Sequence, residues 1–590
     1  MTKIFIFFLI WAYSRIIHAV SVSNYYVENM PGLVENLNLK LYSGHIKVNE
    51  KNENSLFFLF VENRYIVDKQ RTVIWLNGGP GCSSMDGAFL ENGPFRMTKE
   101  GLLSGNQGEW NEFSNVVFVD QPAGTGLSYS LPENYPHGLS QTVSDFLVFL
   151  DNFFEIFPQY KNDELYITGE SFSGQYVPYI ANAILKRNEE NNKKNYNLKG
   201  ILIGNGWIDP LTHYKSYLPF SIKNGLVKKG SEQEEQIQKA VKDCELAFSK
   251  KQLKDIQNCD SILSMIIKPD LREDKKCVNM YDLRLKYPSC DMKWPNGSVQ
   301  LTSYLRKPEV LKALNVDNDK KIVWQECNLR FTETFLRYSS PPSIELLPYI
   351  LSKIQVVLYS GDKDIICNHL GTEDLINNLE WNGRKGFIQE DGTWIPRQDW
   401  IFMDKIAGYY QYDRNLTYII IKDASHMVPY DKPLESQDML NRFLGIDQEI
   451  IKKIRESRAK SETGSFNPNS KNNSLLEKEK NAWKLYYHIL AIILVFILIG
   501  TIYLTWRHCK SRKINDQYVD KFNHSADSEY WNENRSQYYK NINTPFNRKN
   551  DFHDFENYPG IIYDKASSPQ TSQTKEDSIL DYNEPFRTTH

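Results

Sequence analysis

Three loops of the 590-residue chain carry side chains that together could turn a hydroxyl into a nucleophile. They read Gly169-Glu170-Ser171-Phe172-Ser173-Gly174, Ser360-Gly361-Asp362-Lys363-Asp364 and Asp423-Ala424-Ser425-His426. A serine hydroxyl is weakly nucleophilic at moderate pH, so Ser171 needs a base, and His426 is of the right type. The base needs a carboxylate to hold its tautomer and stabilise its cation, and the acid loop ending at Asp364 supplies one. His45, His137, His213 and His369 fit worse, because none follows a strand late in the chain. At Ser171 the usual small pattern is broken: Ser173, not glycine, stands two places on, with Gly174 after it.

Such residues must be brought together by the elements before them. Buried, β-branched runs at Val73–Leu76, Val116–Val119, Leu165–Thr168, Gly200–Ile203, Val356–Tyr359 and Tyr418–Ile421 predict strands. Helical spacing of Val143, Phe146, Leu147, Leu150, Phe154 and Phe157 predicts a helix between two of them, with Ser140 as its N-cap. Alternating strand and helix implies a mostly parallel sheet covered on both faces. The carboxyl ends of parallel strands share one edge, so the loops that follow them converge there. Strand, Gly-x-Ser, helix is the nucleophile-elbow pattern, and the order Ser, Asp, His is that of α/β-hydrolases. Residues from about 211 to 330 fit no sheet strand and read as an inserted helical cap, with substrate pockets between it and the sheet edge.

The net charge of −3, from 70 Lys+Arg and 73 Asp+Glu, argues against a nucleic-acid partner. No C-x-x-C pair suggests zinc, and no metal or other cofactor is expected. Residues 1–20 read as a signal peptide, with Lys3, an apolar run and a small-residue end near Ala19. Residues 484–506 read as one membrane span, uncharged from Leu485 to Leu504 and flanked by Trp483 and Trp506. The expected organisation is therefore a luminal domain at 21–447, a polar stalk at 448–483, a single-pass anchor and a disordered cytosolic tail at 507–590. Tyr539-Lys540-Asn541-Ile542 and Tyr558-Pro559-Gly560-Ile561 in that tail fit sorting-adaptor motifs. Sequons at Asn296, Asn415 and Asn472 could carry glycans on the luminal side.

Longer motifs surround these loops. Trp75-Leu76-Asn77-Gly78-Gly79-Pro80-Gly81-Cys82-Ser83-Ser84, Gly169-Glu170-Ser171, Gly361-Asp362-Lys363-Asp364 with Cys367-Asn368, and His426-Met427-Val428-Pro429 occur in that order. Over residues 24–445 the chain resembles the serine carboxypeptidases, and among them the Kex1-type, membrane-anchored enzymes that trim pro-hormone peptides. The resemblance implies Ser171 as nucleophile, His426 as base and Asp364, rather than Asp362, as the orienting acid. It implies an oxyanion hole from the Gly79 and Phe172 amides, and a site for the substrate's C-terminal carboxylate at Asn77, Gly78, Glu91 and Glu170. Neighbouring carboxyls can share a proton, so such a site should work best in mild acid. Cysteines alone leave 15 pairings for six residues; the resemblance implies Cys82–Cys327, Cys244–Cys259 and Cys277–Cys290, with Cys367 free and Cys509 cytosolic.

The architecture further implies peptide or pro-protein C-termini ending in Lys or Arg as substrates, in the trans-Golgi network. Asp282 and Glu326 are the cap acids that could meet the basic side chain, while Met427 offers an apolar wall. Alternatives from the same residues are a broad-specificity, vacuolar-type carboxypeptidase, an acyltransferase and an inactive binding receptor.

Overall fold

All six of the buried runs form strands in the computed structural model of the protein. It describes residues 22–463, apart from 36, 50, 191–194, 251–256, 269–274, 289, 291–293 and 337–339, and scattered positions from 500 to 510. Thirteen strands matter here: β1 (Tyr26–Val27), β2 (Leu41–Lys47), β3 (Ser55–Val61), β4 (Arg71–Leu76), β5 (Asn115–Asp120), β6 (Glu164–Glu170), β7 (Leu198–Gly204), β8 (Cys277–Asn279), β9 (Asp282–Tyr287), β10 (Gln355–Gly361), β11 (Gln398–Phe402), β12 (Lys405–Asp413) and β13 (Leu416–Ile421). All but β8 and β9 form one sheet of eleven, in the order β1-β2-β3-β5-β4-β6-β7-β10-β13-β12-β11.

From β5 to β13 neighbouring strands are parallel, and both margins of the sheet are antiparallel. The core is mixed for a simple reason. Along β4, Ile74 and Leu76 join one apolar layer while Val73 and Trp75 join the other, and Val117 and Phe118 divide likewise in β5. Strands apolar on both faces belong in the covered middle of a sheet. The margins read differently: β2 contains Gly44 and His45, and β12 is largely exposed or half-buried, so neither shows as a continuous buried run.

The helix Gly138–Ile156 packs Phe146, Phe149 and Phe153 onto the sheet, where Phe153 meets Phe58 of β3 edge-on at 5.5 Å. Its start differs from the expected N-cap at Ser140. The helix begins two residues earlier, after His137, whose amide is met by Gln141 Oε1 at 2.9 Å.

The segment 211–330 is not one helical cap. Its first part, through the helices Pro210–Lys223, Glu232–Ser249 and Ser261–Ile267, builds a separate apolar cluster with Tyr217, Phe220, Ile237 and Ile262, and ends in the β8–β9 hairpin. Leu301, Tyr304, Val310 and Leu314, by contrast, are buried in the main core, so the later part returns to the body. The boundary at 447 falls just before a further helix, Gln448–Thr463, which buries Ile451 and pairs Arg455 with Glu112 at 2.7 Å. That stretch of the expected stalk is thus packed against the domain. Among the described residues no helix is long and apolar enough to cross a membrane. The expected signal peptide lies outside the described residues, as do Asn472, both tail motifs and nearly all of the span at 484–506.

Candidate active site

Strand β6 ends at Glu170 and the helix Ser173–Glu189 begins three residues later, which leaves Ser171 at the turn with φ of 60°. A non-glycine residue rarely adopts that conformation, and here its neighbours hold it. The Ser171 amide donates to Gly204 O at 3.1 Å, and its carbonyl accepts from Trp207 N at 2.8 Å. Gly169 has no alternative, since a Cβ there would lie 2.4 Å from Leu76 O. Ser173, the departure from the usual pattern, is fully buried, and its hydroxyl donates to Leu76 O at 2.8 Å and Asn77 O at 3.0 Å. Where glycine would only leave room, this serine fastens the elbow to the loop after β4.

That loop lies directly against the elbow. A Cβ on Gly78 would sit 2.4 Å from Phe172 N and 2.9 Å from Ser171 Cβ. Gly79 follows with φ of 108°, in the left-handed region that suits glycine. Neither the Gly79 nor the Phe172 amide donates a hydrogen bond among the described residues, so two N–H groups are left beside the Ser171 hydroxyl.

His426, 3% exposed, follows β13, and its Nδ1 donates to Asp364 Oδ2 at 2.8 Å. A carboxylate partner requires the proton on Nδ1 and leaves Nε2 as an acceptor. Asp364, fully buried, accepts from Asn205 Nδ2 at 2.7 Å and from the Ile366 and Cys367 amides at 3.1 and 3.2 Å. Asn205 was not singled out from the sequence beyond its place in the loop Gly204-Asn205-Gly206. It stands between β7 and β10 because its Oδ1 accepts from Gly361 N at 3.1 Å. Ser171 Oγ makes no hydrogen bond among the described residues. Such links are often open in free enzymes and close around substrate.

The Tyr281 ring lies 5.1 Å from that of His426, and Trp294 stacks on Tyr281 at 5.3 Å and 12°. Cys367 is buried beside this set, and burial pushes its thiol well above the usual range, which disfavours the thiolate.

A second group of side chains adjoins the elbow through Glu170. Asn77 Nδ2 donates to Glu91 Oε1 at 2.9 Å and to Glu170 Oε1 at 3.0 Å. Its own oxygen is fixed by Trp75 Nε1 at 2.7 Å and Gly87 N at 3.2 Å. Burial raises both carboxyls, and the adjacent Glu91 charge raises Glu170 further, well above the ordinary carboxylate range. Of the two, Glu170 is thus the carboxyl more strongly biased toward its neutral form. Glu91 Oε2 is buried with no partner among the described residues. Arg96, unremarked in the sequence, favours the ionised form of Glu91 and is itself pushed down by burial to about 10; its Nη2 donates to Pro429 O at 2.9 Å.

Residues 31–445 match the family described as serine carboxypeptidase. The chain belongs to that family. It is 44% identical over 517 residues to the pheromone-processing carboxypeptidase kex1 of Aspergillus clavatus, covering 84% of each chain. To the corresponding protein of Coccidioides posadasii it is 44% identical over 512 residues, covering 83% of this chain and 80% of that one. The crystal structure of a prohormone-processing carboxypeptidase from Saccharomyces cerevisiae, Kex1(delta)p, superposes with a TM-score of 0.66 at 35% identity, over 72% of this chain and 96% of that one.

The carboxypeptidase contains the disulfides Cys82–Cys327, Cys244–Cys259 and Cys277–Cys290, with Cys367 as a buried free thiol. The first ties the loop after β4 to residues that lead into the helix Leu329–Phe335, whose Phe335 meets Phe172 at 6.1 Å. The two cap acids differ. Asp282 is buried in a two-point pair with Arg284, at 2.8 Å to both Nε and Nη2, and so is already spent. Glu326 is half-buried, has no ion pair among the described residues, and its carboxyl is raised by burial. It acts electrostatically on both Tyr281 and the buried Asp86. Met427 is almost fully buried. Among the sequons, Asn296 is exposed, whereas Asn415 is half-buried and donates to Leu351 O at 3.0 Å.

Proposed function

We propose that Ser171, His426 and Asp364 are the nucleophile, general base and orienting acid of a carboxypeptidase that removes Lys or Arg from the C-termini of peptides and pro-proteins. Ser171 Oγ attacks the last peptide carbonyl as His426 Nε2 takes its proton, and the Gly79 and Phe172 amides receive the oxyanion. The same proton then passes to the leaving amine, and water releases the acyl group by the reverse sequence.

One observation carries the exopeptidase reading: the Glu91–Glu170 pair, with Asn77, adjoins the nucleophile at the very next residue. Two ionised glutamates would repel a substrate carboxylate. A pair holding one proton, beside the Asn77 amide and the Gly78 backbone, can meet it with donors. The preference for basic residues is supported by Glu326, a partly desolvated acid with no cation partner among the described residues, which a guanidinium or ammonium would complete. Printed names of the relatives, pheromone-processing and prohormone-processing, agree with substrates of that kind.

The residues at 1–20 and 484–506 support a signal peptide and a single-pass anchor, hence a luminal catalytic domain in the secretory pathway, in the trans-Golgi network. Tyr539 and Tyr558 then lie in a cytosolic tail open to sorting adaptors. The deciding experiment compares kcat/KM on one peptide ending in Arg, Lys, Leu or Phe. Basic ends should lead by at least about tenfold, roughly 1.4 kcal/mol of transition-state discrimination. Equal cleavage of Leu or Phe ends would leave a carboxypeptidase without the basic preference.

A further inference from the structure

We propose that Arg284, in the hairpin that the cap sends down to the sheet edge, is a positioning residue that holds the His426 loop in register with Ser171 and Asp364. The hairpin is β8–β9, closed by Cys277–Cys290. Its turn is bonded to both triad loops at once. Met280 O accepts from the Ile365 and Ile366 amides at 3.1 Å each, and Leu283 N donates to Lys363 O at 2.9 Å, which grips the acid loop. Tyr281 O accepts from the His426 amide at 2.9 Å, which grips the histidine loop.

Arg284 completes that second grip. Its Nη1 donates to Asp423 O at 2.9 Å and its Nη2 to Asp431 Oδ2 at 3.0 Å. The same Asp431 oxygen accepts from Ser425 N at 2.6 Å, one residue before His426. Asp282 holds the guanidinium from behind, at 2.8 Å to Nε and to Nη2. One planar fork therefore spans the segment from 423 to 431, with the catalytic imidazole between its two attachment points. A surface ion pair usually adds little stability, and Arg284 is 37% exposed, so stability alone is a weak reason for this arrangement. A lysine, with a single point of charge, cannot reach both attachments. Small displacements of a catalytic group cost rate heavily, which is what the fork prevents.

The inference rests on the roles assigned to Ser171, His426 and Asp364, and its test keeps the two apart. The full-length protein is prepared as wild type, R284A, R284K, D431N and S171A. Each is assayed on a peptide ending in Arg, by the rate of fluorophosphonate labelling of Ser171, and by melting temperature. In R284A, kcat should fall roughly tenfold to a hundredfold with KM changed by less than about twofold, and labelling should slow in parallel. Added guanidinium ion should restore much of the loss in R284A and none in S171A. R284K and D431N should fall between wild type and R284A, and they carry the test if R284A does not fold. Wild-type kcat in the Arg284 and Asp431 variants, a change confined to KM, or no response of folded R284A to guanidinium overturns the proposal. Activity in S171A overturns instead the assignment on which it stands.

Discussion

Asp364 accepts four hydrogen bonds, from His426, Asn205, Ile366 and Cys367, whereas Glu91 and Glu170, also buried, share one Asn77 amide. All three carboxyls lie at the same sheet edge, so burial does not distinguish them. Their neighbours do. The partners hydrogen-bonded to Asp364 are all donors, which suits a carboxylate that accepts and orients. Around Glu170 it places another acid, and desolvation with a like charge favours the neutral form. Four donors build a fixed acceptor, while two acids against one amide build a proton holder.

If the two groups are different machines serving one nucleophile, removing Ser171 should silence both. S171A should lose about 10⁴- to 10⁶-fold in kcat/KM while keeping its melting temperature, because the side chain is half-buried at a turn and opens no cavity. Activity above about a thousandth of wild type would assign the nucleophile elsewhere.

The next largest effect should come from taking a donor from the first group. N205A leaves Asp364 and the Gly361 amide each short of a partner, which should lower kcat roughly tenfold to a hundredfold on peptides and esters alike. A loss confined to peptides would mean that Asn205 serves the carboxylate site instead.

A smaller effect is expected at the cap. E326Q should cut the advantage of Arg and Lys ends by about tenfold while leaving hydrolysis of Leu ends in place. An unchanged preference would point to Asp86 or to shape.

The pair itself is tested by pH. Because the Glu170 pKa is raised, its proton is present below the ordinary carboxylate range and is lost as pH rises through the raised value. Hydrolysis of free peptides should therefore fall several-fold as pH rises through that raised value, with amide-blocked substrates falling less. The same linkage applies to folding: the unfolded chain releases this proton earlier, so the contribution of Glu170 to stability declines as pH rises. E170Q, which cannot ionise, should flatten both profiles, and a peptide profile identical to wild type would remove the shared proton from the mechanism.

Much of this site is legible in the sequence because loops after buried strands are locally marked. Ser171, Asp364 and His426 each follow a run whose β-branched, apolar residues betray a covered strand. Asn205 follows such a run too, yet nothing local separates an asparagine that orients a carboxylate 159 positions away from one that merely turns the chain. Arg96 was hidden for the same reason, as was the tethering role of Ser173, since their partners Pro429 and Leu76 come from other elements. The outer strands β2 and β12 were missed because antiparallel strands with one open face mix polar and apolar residues, whereas β3, buried throughout, carried a readable apolar run that was passed over. Ile451 lay in a stretch dominated by charge, where its helical spacing with Ile454, packed on the same core, is easily overlooked.

The sequence by itself determined the order of strands and loops and the chemical types at the sheet edge, because each is written in adjacent residues. Tertiary structure alone decided which acid is free and which is spent. Asp282 and Glu326 look equally available along the chain, but folding pairs Asp282 with Arg284 and leaves Glu326 without a cation among the described residues. It also decided that Glu91 and Glu170, 79 positions apart, meet on one Asn77 amide and are both raised, since a pKa depends on the charges, donors and solvent that the fold brings within a few ångströms.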